Sequence, residues 1–403
     1  MEVKTQFLFG RESLLVQEEM LEIHASERSI TIGILKEIDA DEKRMALTPQ
    51  AVELLVQRGN RVLYEQHAAA PIHFSDEDYA AAGAEIFISK DDIFKADVIV
   101  KVGQLTDAEI DKLHENQTII SSFLINDYAK QQVQKLQQKK IIAIAYEYIH
   151  DTDNHYPFVC SMNEIAGTMS ILVAAEYLSN SEHAKGVLLG GVTGISPAEV
   201  VILGANTAGE YAARAALGLG AQVKIFDTSL TRLTTIQAAL GQRLFTSTFH
   251  PSVLRKAFQS ADAVIGAVQQ YRNEVSTYIT EELVQCMKKS SIVIDLTMGQ
   301  GGCFETSTAT NHSQPTFTKH GVIHYCVPNI NSRAARTASI ALSNGVLPIL
   351  FSINEMGGIK NCIKHDYTTR QGVYVFNGIV TNSFIANKLD IPFKHIDLLI
   401  AAI

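Results

Sequence analysis

EVVILGANTAGEYAARAALGLGAQVKIFD, residues 199–227, decides how the rest of this chain is read. The apolar run VVIL ends at Gly204-Ala205-Asn206-Thr207-Ala208-Gly209, which opens an alanine-rich helical stretch. A second apolar run then ends at Asp227, 23 residues after Gly204. Strand, glycine turn, helix, strand and acid, in that order, make the nucleotide-binding unit of a doubly wound sheet. Gly204 makes the tight turn. The helix N-terminus offers free N–H groups and a positive dipole end to a pyrophosphate. Gly209 lets helix and strand pack closely. Asp227 accepts hydrogen bonds from ribose hydroxyls and repels a 2′-phosphate, which selects NAD over NADP. The middle glycine of the pattern is Asn206. Asparagine tolerates left-handed backbone, yet it adds a side chain where a phosphate sits. Two readings stay open: an NAD site, or a Rossmann domain that keeps the topology and has lost the ligand.

Outward from this stretch the chain alternates strand and helix in both directions. Strand-like runs begin at Ile30–Leu35 and continue through RVLYEQ, DVIVKV, TIISSFL and IIAIAYEYI, with PQAVELLVQRG, SDEDYAAAG, TDAEIDKL and DYAKQQVQKLQQKK as helices between them. Pro49 sits at a first helical position and Gly59 at a stop. Alternation of this kind predicts parallel βα units with both sheet faces covered. MNEIAGTMSILVAAEYLS and TASIALSNGVLPILFSI read as long helices, ADAVIGAV and SIVIDLT as further core strands, and the last sixty residues as helical. The expected fold is α/β, with two Rossmann-like doubly wound domains. Residues 30–157 and 336–403 form one lobe built from both chain ends, and residues 158–335 form the nucleotide domain. Residues 1–29 read as a mixed-charge helical extension.

A length of 403 residues suits two domains. Apolar residues at 46% and charged residues at 19% exclude wholesale disorder. A net charge of −9 argues against binding to a nucleic-acid backbone. No apolar run is expected to reach the roughly 20 residues of a membrane span, and the N-terminus lacks a secretory pattern. Cys160, Cys286, Cys303, Cys326 and Cys362 are scattered without Cys-x-x-Cys spacing, and the histidines show no ligand spacing. Neither a disulfide framework nor a metal site is expected; Cys303 and Cys326 read as buried structural thiols. The expectation is a cytoplasmic protein without nucleic-acid or membrane partners.

GILKEIDADEKRMALTP (33–49), FSDEDYAAAGAEI (74–86), SMNEIAG (161–167), KGVLLGGVTGISPAEVVILGANTAGEYAAR (185–214), QGGCFETS (300–307) and HYCVPNI (324–330) together resemble the alanine dehydrogenase family. That family also includes the NAD-binding subunit of proton-translocating transhydrogenase. The resemblance runs from about residue 30 to the C-terminus. It implies a substrate lobe from both chain ends, a Rossmann lobe between, and a homo-oligomer, typically a hexamer. It implies oxidation of L-alanine by NAD and water to pyruvate, ammonia and NADH, or the reverse. It assigns Arg44 to the carboxylate of an amino-acid or 2-keto-acid substrate, where a bidentate guanidinium pair suits the chemistry. It places Asn163, Ala267, Val268 and Asn329 near the cofactor; a turn or helix cap is the other reading of Asn329.

The remaining catalytic positions of the pattern are altered. Gly103 stands where the resemblance implies a substrate-contacting Lys, leaving Lys101 as the neighbouring cation on the same strand face. Ile125 or Asn126 replaces an acid/base His, and neither shuttles a proton near pH 7. Gly299 replaces an Asp; Asp295, four residues earlier, is expected inside the strand end. Asn163 replaces a Ser, and Asn329-Ile330-Asn331 lacks the usual Pro. Candidate substitutes nearby are His150, His155, Tyr148, Asp127 and Lys101. The sequence therefore carries three functional readings: an NAD-linked alanine dehydrogenase with replacement groups; a catalytically degraded paralogue acting as a nucleotide-binding or regulatory subunit; and an oxidoreductase for another amino or 2-keto acid.

Overall fold

The computed structural model describes residues 29–180, 185–268 and 279–401. The extension read as helical, apart from Ser29, and the loop beginning Gln269-Gln270-Tyr271 lie outside the described residues.

Strands β1 (Thr31–Ile34), β2 (Arg61–Glu65), β3 (Glu85–Phe87), β4 (Val98–Val100), β5 (Thr118–Ser121) and β6 (Ile142–Ala145) open the chain. Strands β7 (Glu199–Leu203), β8 (Gln222–Phe226), β9 (Phe245–Ser247), β10 (Ala263–Gly266), β11 (Ile292–Asp295), β12 (Thr316–Lys319) and β13 (Val322–Tyr325) build a second sheet. Strands β14 (Val373–Phe376) and β15 (Ile379–Val380) return to the first. The first sheet runs β15-β14-β6-β5-β4-β1-β2-β3 and the second β12-β13-β11-β10-β7-β8-β9. In both, the strand order reverses beside the first strand, at β1/β4 and at β7/β10, and the strands flanking those points are parallel. Both sheets are doubly wound, and ligands of such sheets lie outside the carboxyl ends of the strands at the reversal.

The continuous apolar runs behave as buried parallel strands: β4, β5 and β6 are buried at every residue. In β7, Val200 and Ile202 enter one core cluster while Val201 and Leu203 enter another. The two-residue period of the strand thus feeds the cores on both faces. Helix starts follow local chemistry. Pro49 occupies the first turn of Pro49–Gln57, and Ser75 and Thr106 each form a capping box with the acid three residues on.

The chain divides into two compact units. The described parts of residues 1–37, 45–157 and 342–403 make the first, and the described parts of 38–44 and 158–341 the second. The expected division differs in two places. Residues 38–44 group with the second unit, because Lys43 and Glu42 bond to Ser332 and Glu42 also to Asn329. The helix Ala335–Glu355 is divided after Ala341, within its length and not at its start.

Two further readings need correction. The C-terminal sixty residues are not all helical: β14 pairs antiparallel with β6 and with β15. The turn between β14 and β15 is Asn377-Gly378, with φ of 49° and 80°. Asn-Gly with both φ positive is a tight hairpin signal, here hidden by strands of four and two residues. The second correction concerns apolar length. The helix Pro157–Ser179 and the span Ile330–Glu355 are long and apolar enough to cross a membrane by composition. Pro157–Ser179 nevertheless sends Ala166, Ile171, Val173, Ala174 and Leu178 into the core of the second unit, as a core helix does.

Candidate functional site

The glycine turn lies at the carboxyl end of β7, beside the end of β10. Gly204 has φ of 112°, and a Cβ there would stand 2.3 Å from the Ala267 carbonyl oxygen. A Cβ on Gly209 would stand 1.9 Å from the Gly204 oxygen. Both positions therefore require glycine. Asn206 does not use the left-handed backbone that its residue type allows. Its φ is −92° and ψ −173°, ordinary extended geometry, so the backbone does not explain the asparagine. Its side chain does the local work. Oδ1 accepts the Gly209 N–H at 3.1 Å, capping the helix Thr207–Gly218, and Nδ2 donates to the Ala267 oxygen at 2.6 Å. Helix geometry leaves the N–H groups of Thr207 and Ala208 without intrahelical acceptors. Ala205 and Ala267 are buried beside the turn, and Val268 is half-buried.

Asp227 is buried and heavily engaged. It accepts from Ala205 N at 2.7 Å, Ser229 N at 2.7 Å, and Arg232 Nε and Nη2 at 3.0 and 2.6 Å. Burial pushes its pKa upward, but the Arg232 and backbone N–H bonds and the guanidinium charge outweigh it. The carboxyl is held below its ordinary value.

The strap 38–44 builds a second cluster in the same unit. Arg44 donates from Nε to Glu42 Oε1 at 2.7 Å and from Nη2 to Glu42 Oε2 at 2.5 Å, while Nη1 meets the Met162 sulfur at 3.3 Å. Glu42 also accepts from Ser332 Oγ and Asn329 Nδ2, each at 3.3 Å. Asn329 Nδ2 donates to the Asp41 oxygen at 3.0 Å, and His312 Nε2 lies 2.9 Å from the Asn329 oxygen. Asn329 Oδ1 is buried without a hydrogen-bond partner. Asn329 is the N-cap residue of the short helix Ile330–Ala334 and its backbone oxygen accepts the Ser332 N–H, but its side chain makes no cap bond. Asn163 follows Met162 on the helix Pro157–Ser179. Sequence reasoning missed Glu42. Residues 39–41 form a bend and turn and 42–44 lie outside any strand, so no periodic signal marked it.

In the first unit, Lys101 is buried. Its ammonium lies 2.9 Å from Glu109 Oε2 and 3.8 Å from Glu37 Oε2. Lys101 thus sits in an internal ion cluster at the carboxyl end of β4. Replacing Lys101 by Met is expected to lower stability by about 3 kcal/mol, because two carboxylates lose their buried cation. Urea unfolding reads this, and an unchanged midpoint would mean that the cluster does not hold the first unit together. Glu37 also explains Gly103. Its Oε1 accepts the Val102 and Gly103 N–H groups at 2.7 and 3.2 Å, and a Cβ on Gly103 would lie 2.9 Å from Oε2. The carboxylate fills the place of a side chain.

Ile125 is 38% exposed, and Asn126 Oδ1 caps the Tyr128 N–H. Gly299 lies in the exposed turn Met298–Gln300, with no atom within 4 Å of a Cβ built on it. Asp295 is the buried last residue of β11, as expected. It accepts from Thr297 N and Oγ1, Cys303 N and Ser307 Oγ, and so ties down the glycine turn 299–302. Burial, together with the Asp295 charge, pushes the Cys303 thiol well up; burial raises Cys326 to about 11. Both are inert structural thiols. Among the candidate substitutes, burial lowers the pKa of His150, whose ring stands edge-on to Tyr156. Burial raises the Tyr148 hydroxyl, and His155 and Asp127 are exposed. All four belong to the first unit.

Models of two domain families match: "Alanine dehydrogenase/PNT, N-terminal domain" over residues 33–166 and "Alanine dehydrogenase/PNT, C-terminal domain" over 170–383. An alanine dehydrogenase of Methanococcus maripaludis is 38% identical over 364 residues, 90% of this chain and 97% of its own length. A solved L-alanine dehydrogenase superposes with a TM-score of 0.84 at 33% identity, covering 90% of this chain and 99% of its own. A transhydrogenase from Sinorhizobium meliloti shares the fold, with a TM-score of 0.73 at 22% identity over 88% of this chain and 99% of its own. With both domain models matched in order and the relatives covered almost end to end, the chain belongs to the alanine dehydrogenase/PNT family.

Proposed function

We propose that this chain is an NAD-dependent oxidoreductase interconverting L-alanine and pyruvate, slowed by the loss of a substrate-contacting Lys, an acid/base His and a catalytic Asp. The observation that carries the reading is the Arg44–Glu42–Asn329 cluster, in which Arg44 already grips a carboxylate, that of Glu42, bidentately and Asn329 Oδ1 is a buried acceptor without a partner. That orphaned acceptor fits an amide donor such as the nicotinamide carboxamide. When bound, NAD supplies the hydride chemistry. Thr207 and Ala208 would offer N–H groups to the pyrophosphate and Asp227 would accept from the ribose, while the family resemblance assigns Asn163, Ala267 and Val268 to the same cofactor. Arg44 holds the substrate carboxylate by charge-assisted hydrogen bonds. No residue at 103, 125 or 299 can move a proton. Each lost proton-handling group costs about 100-fold to 10,000-fold. The same reading takes the protein to be a cytoplasmic homo-oligomer, a hexamer by family resemblance.

Gly103, Ile125, Gly299 and Asn206 favour a second reading, a degraded paralogue that binds the nucleotide as a sensor or regulatory subunit. NADH formation from L-alanine at alkaline pH, with NAD binding by calorimetry, separates the two. Turnover that falls when Arg44 is replaced by Lys, with KM raised about tenfold or more, supports the enzyme. NAD binding with no turnover on L-alanine or other small amino acids sinks it.

A further inference from the structure

We infer that the Asn206 side chain is a built-in competitor of the dinucleotide pyrophosphate, closing the crevice on itself and setting nucleotide affinity. The inference rests on the dinucleotide reading above. In a doubly wound sheet the pyrophosphate lies at the helix N-terminus, in the crevice where the strand order reverses. Here that crevice opens between β7 and β10. Asn206 spans it: Oδ1 holds the Gly209 N–H on the β7 side, and Nδ2 holds the Ala267 oxygen on the β10 side.

The two ends of the amide are not equally replaceable. A pyrophosphate carries acceptors only. It can take over the Gly209 N–H, and it can add the N–H groups of Thr207 and Ala208. It cannot donate to the Ala267 oxygen, which is left without its 2.6 Å partner whenever Asn206 swings aside. A role in capping alone does not account for this arrangement, because Ser, Thr or Asp would cap equally well without reaching for a carbonyl. Backbone geometry does not account for it either, since φ is −92°. Only the side chain's hold on both sides of the crevice distinguishes asparagine here.

The test is titration of the full chain with NADH, read by nicotinamide fluorescence, for the wild type, Asn206→Gly and Asn206→Asp. Glycine at a cap loses little stability, and melting without ligand checks that each variant folds. Asn206→Gly is expected to bind about tenfold tighter. Asn206→Asp keeps the cap but sets a negative charge against the pyrophosphate, and is expected to bind at least tenfold weaker. Binding by Asn206→Gly alone also supports the inference. If the wild type binds and Asn206→Gly binds no tighter, the inference is overturned and the dinucleotide reading survives. If neither binds, both fall.

Discussion

Restoring the three replaced groups together, Gly103→Lys, Ile125→His and Gly299→Asp, is expected to raise alanine-dependent NADH formation by about 100-fold or more. The structure leaves room at Gly299 and Ile125, and at Gly103 once Glu37 shifts. Nothing lies within 4 Å of a Cβ at Gly299, and its φ is not in the left-handed range. Ile125 is exposed, so an imidazole there displaces no core. At Gly103 the contact is with Glu37 Oε2, the far end of a flexible side chain, which can pair with the new ammonium. Each single variant is expected to gain much less, because groups that act as a unit are strongly non-additive. The pH profile is the second readout. An introduced imidazole acting as a base makes the rate climb through about pH 6.5 as the ring loses its proton. A triple variant that folds and binds NADH, yet turns over like the wild type, would remove the altered positions as the cause of slow chemistry.

The stretch 199–227 was legible because each of its signals is local. An apolar run, a glycine turn and an acid 23 residues on specify strand, turn, helix and strand without help from the rest of the chain. The structure returned all of them, with Asp227 at the end of β8. Alternation elsewhere gave the doubly wound class for the same reason. What stayed hidden depends on partners distant in sequence. Lys101 looked like a free cation until Glu109 and Glu37 closed around it from a helix and a loop. Glu42 looked like one acid in a charged strap until Asn329 and Ser332, nearly 290 residues away, met it. Asn206 was read as added bulk, and its actual geometry, one amide joining Gly209 to Ala267, needed the position of β10 to be known. The hairpin at Asn377-Gly378 was the reverse case: a local signal was present in the sequence, and strands of four and two residues were too short to support it.

Gly204→Ala is expected to destabilise the second unit by about 4 kcal/mol and to abolish nucleotide binding. Two contributions add. The φ of 112° is strained for any residue with a Cβ, at about 1–3 kcal/mol. The new methyl would lie 2.3 Å from the Ala267 oxygen, 2.7 Å from its carbon and 3.1 Å from Val268 N. All three are backbone atoms at the end of a central strand, so no rotamer change relieves the overlap, and forced backbone shifts add about 1–3 kcal/mol. Gly218, the last residue of the adjoining helix, is the control. A Cβ there meets nothing within 4 Å and its φ is not left-handed, so Gly218→Ala is expected to be neutral or to stabilise by up to about 1 kcal/mol. Denaturant unfolding of the two variants, with NADH titration of each, makes the comparison. Because two units unfold, each transition is fitted separately. Equal stability of Gly204→Ala and Gly218→Ala would mean that β7 and β10 do not close on the turn as described. The crevice that Asn206 bridges would then have a different geometry as well.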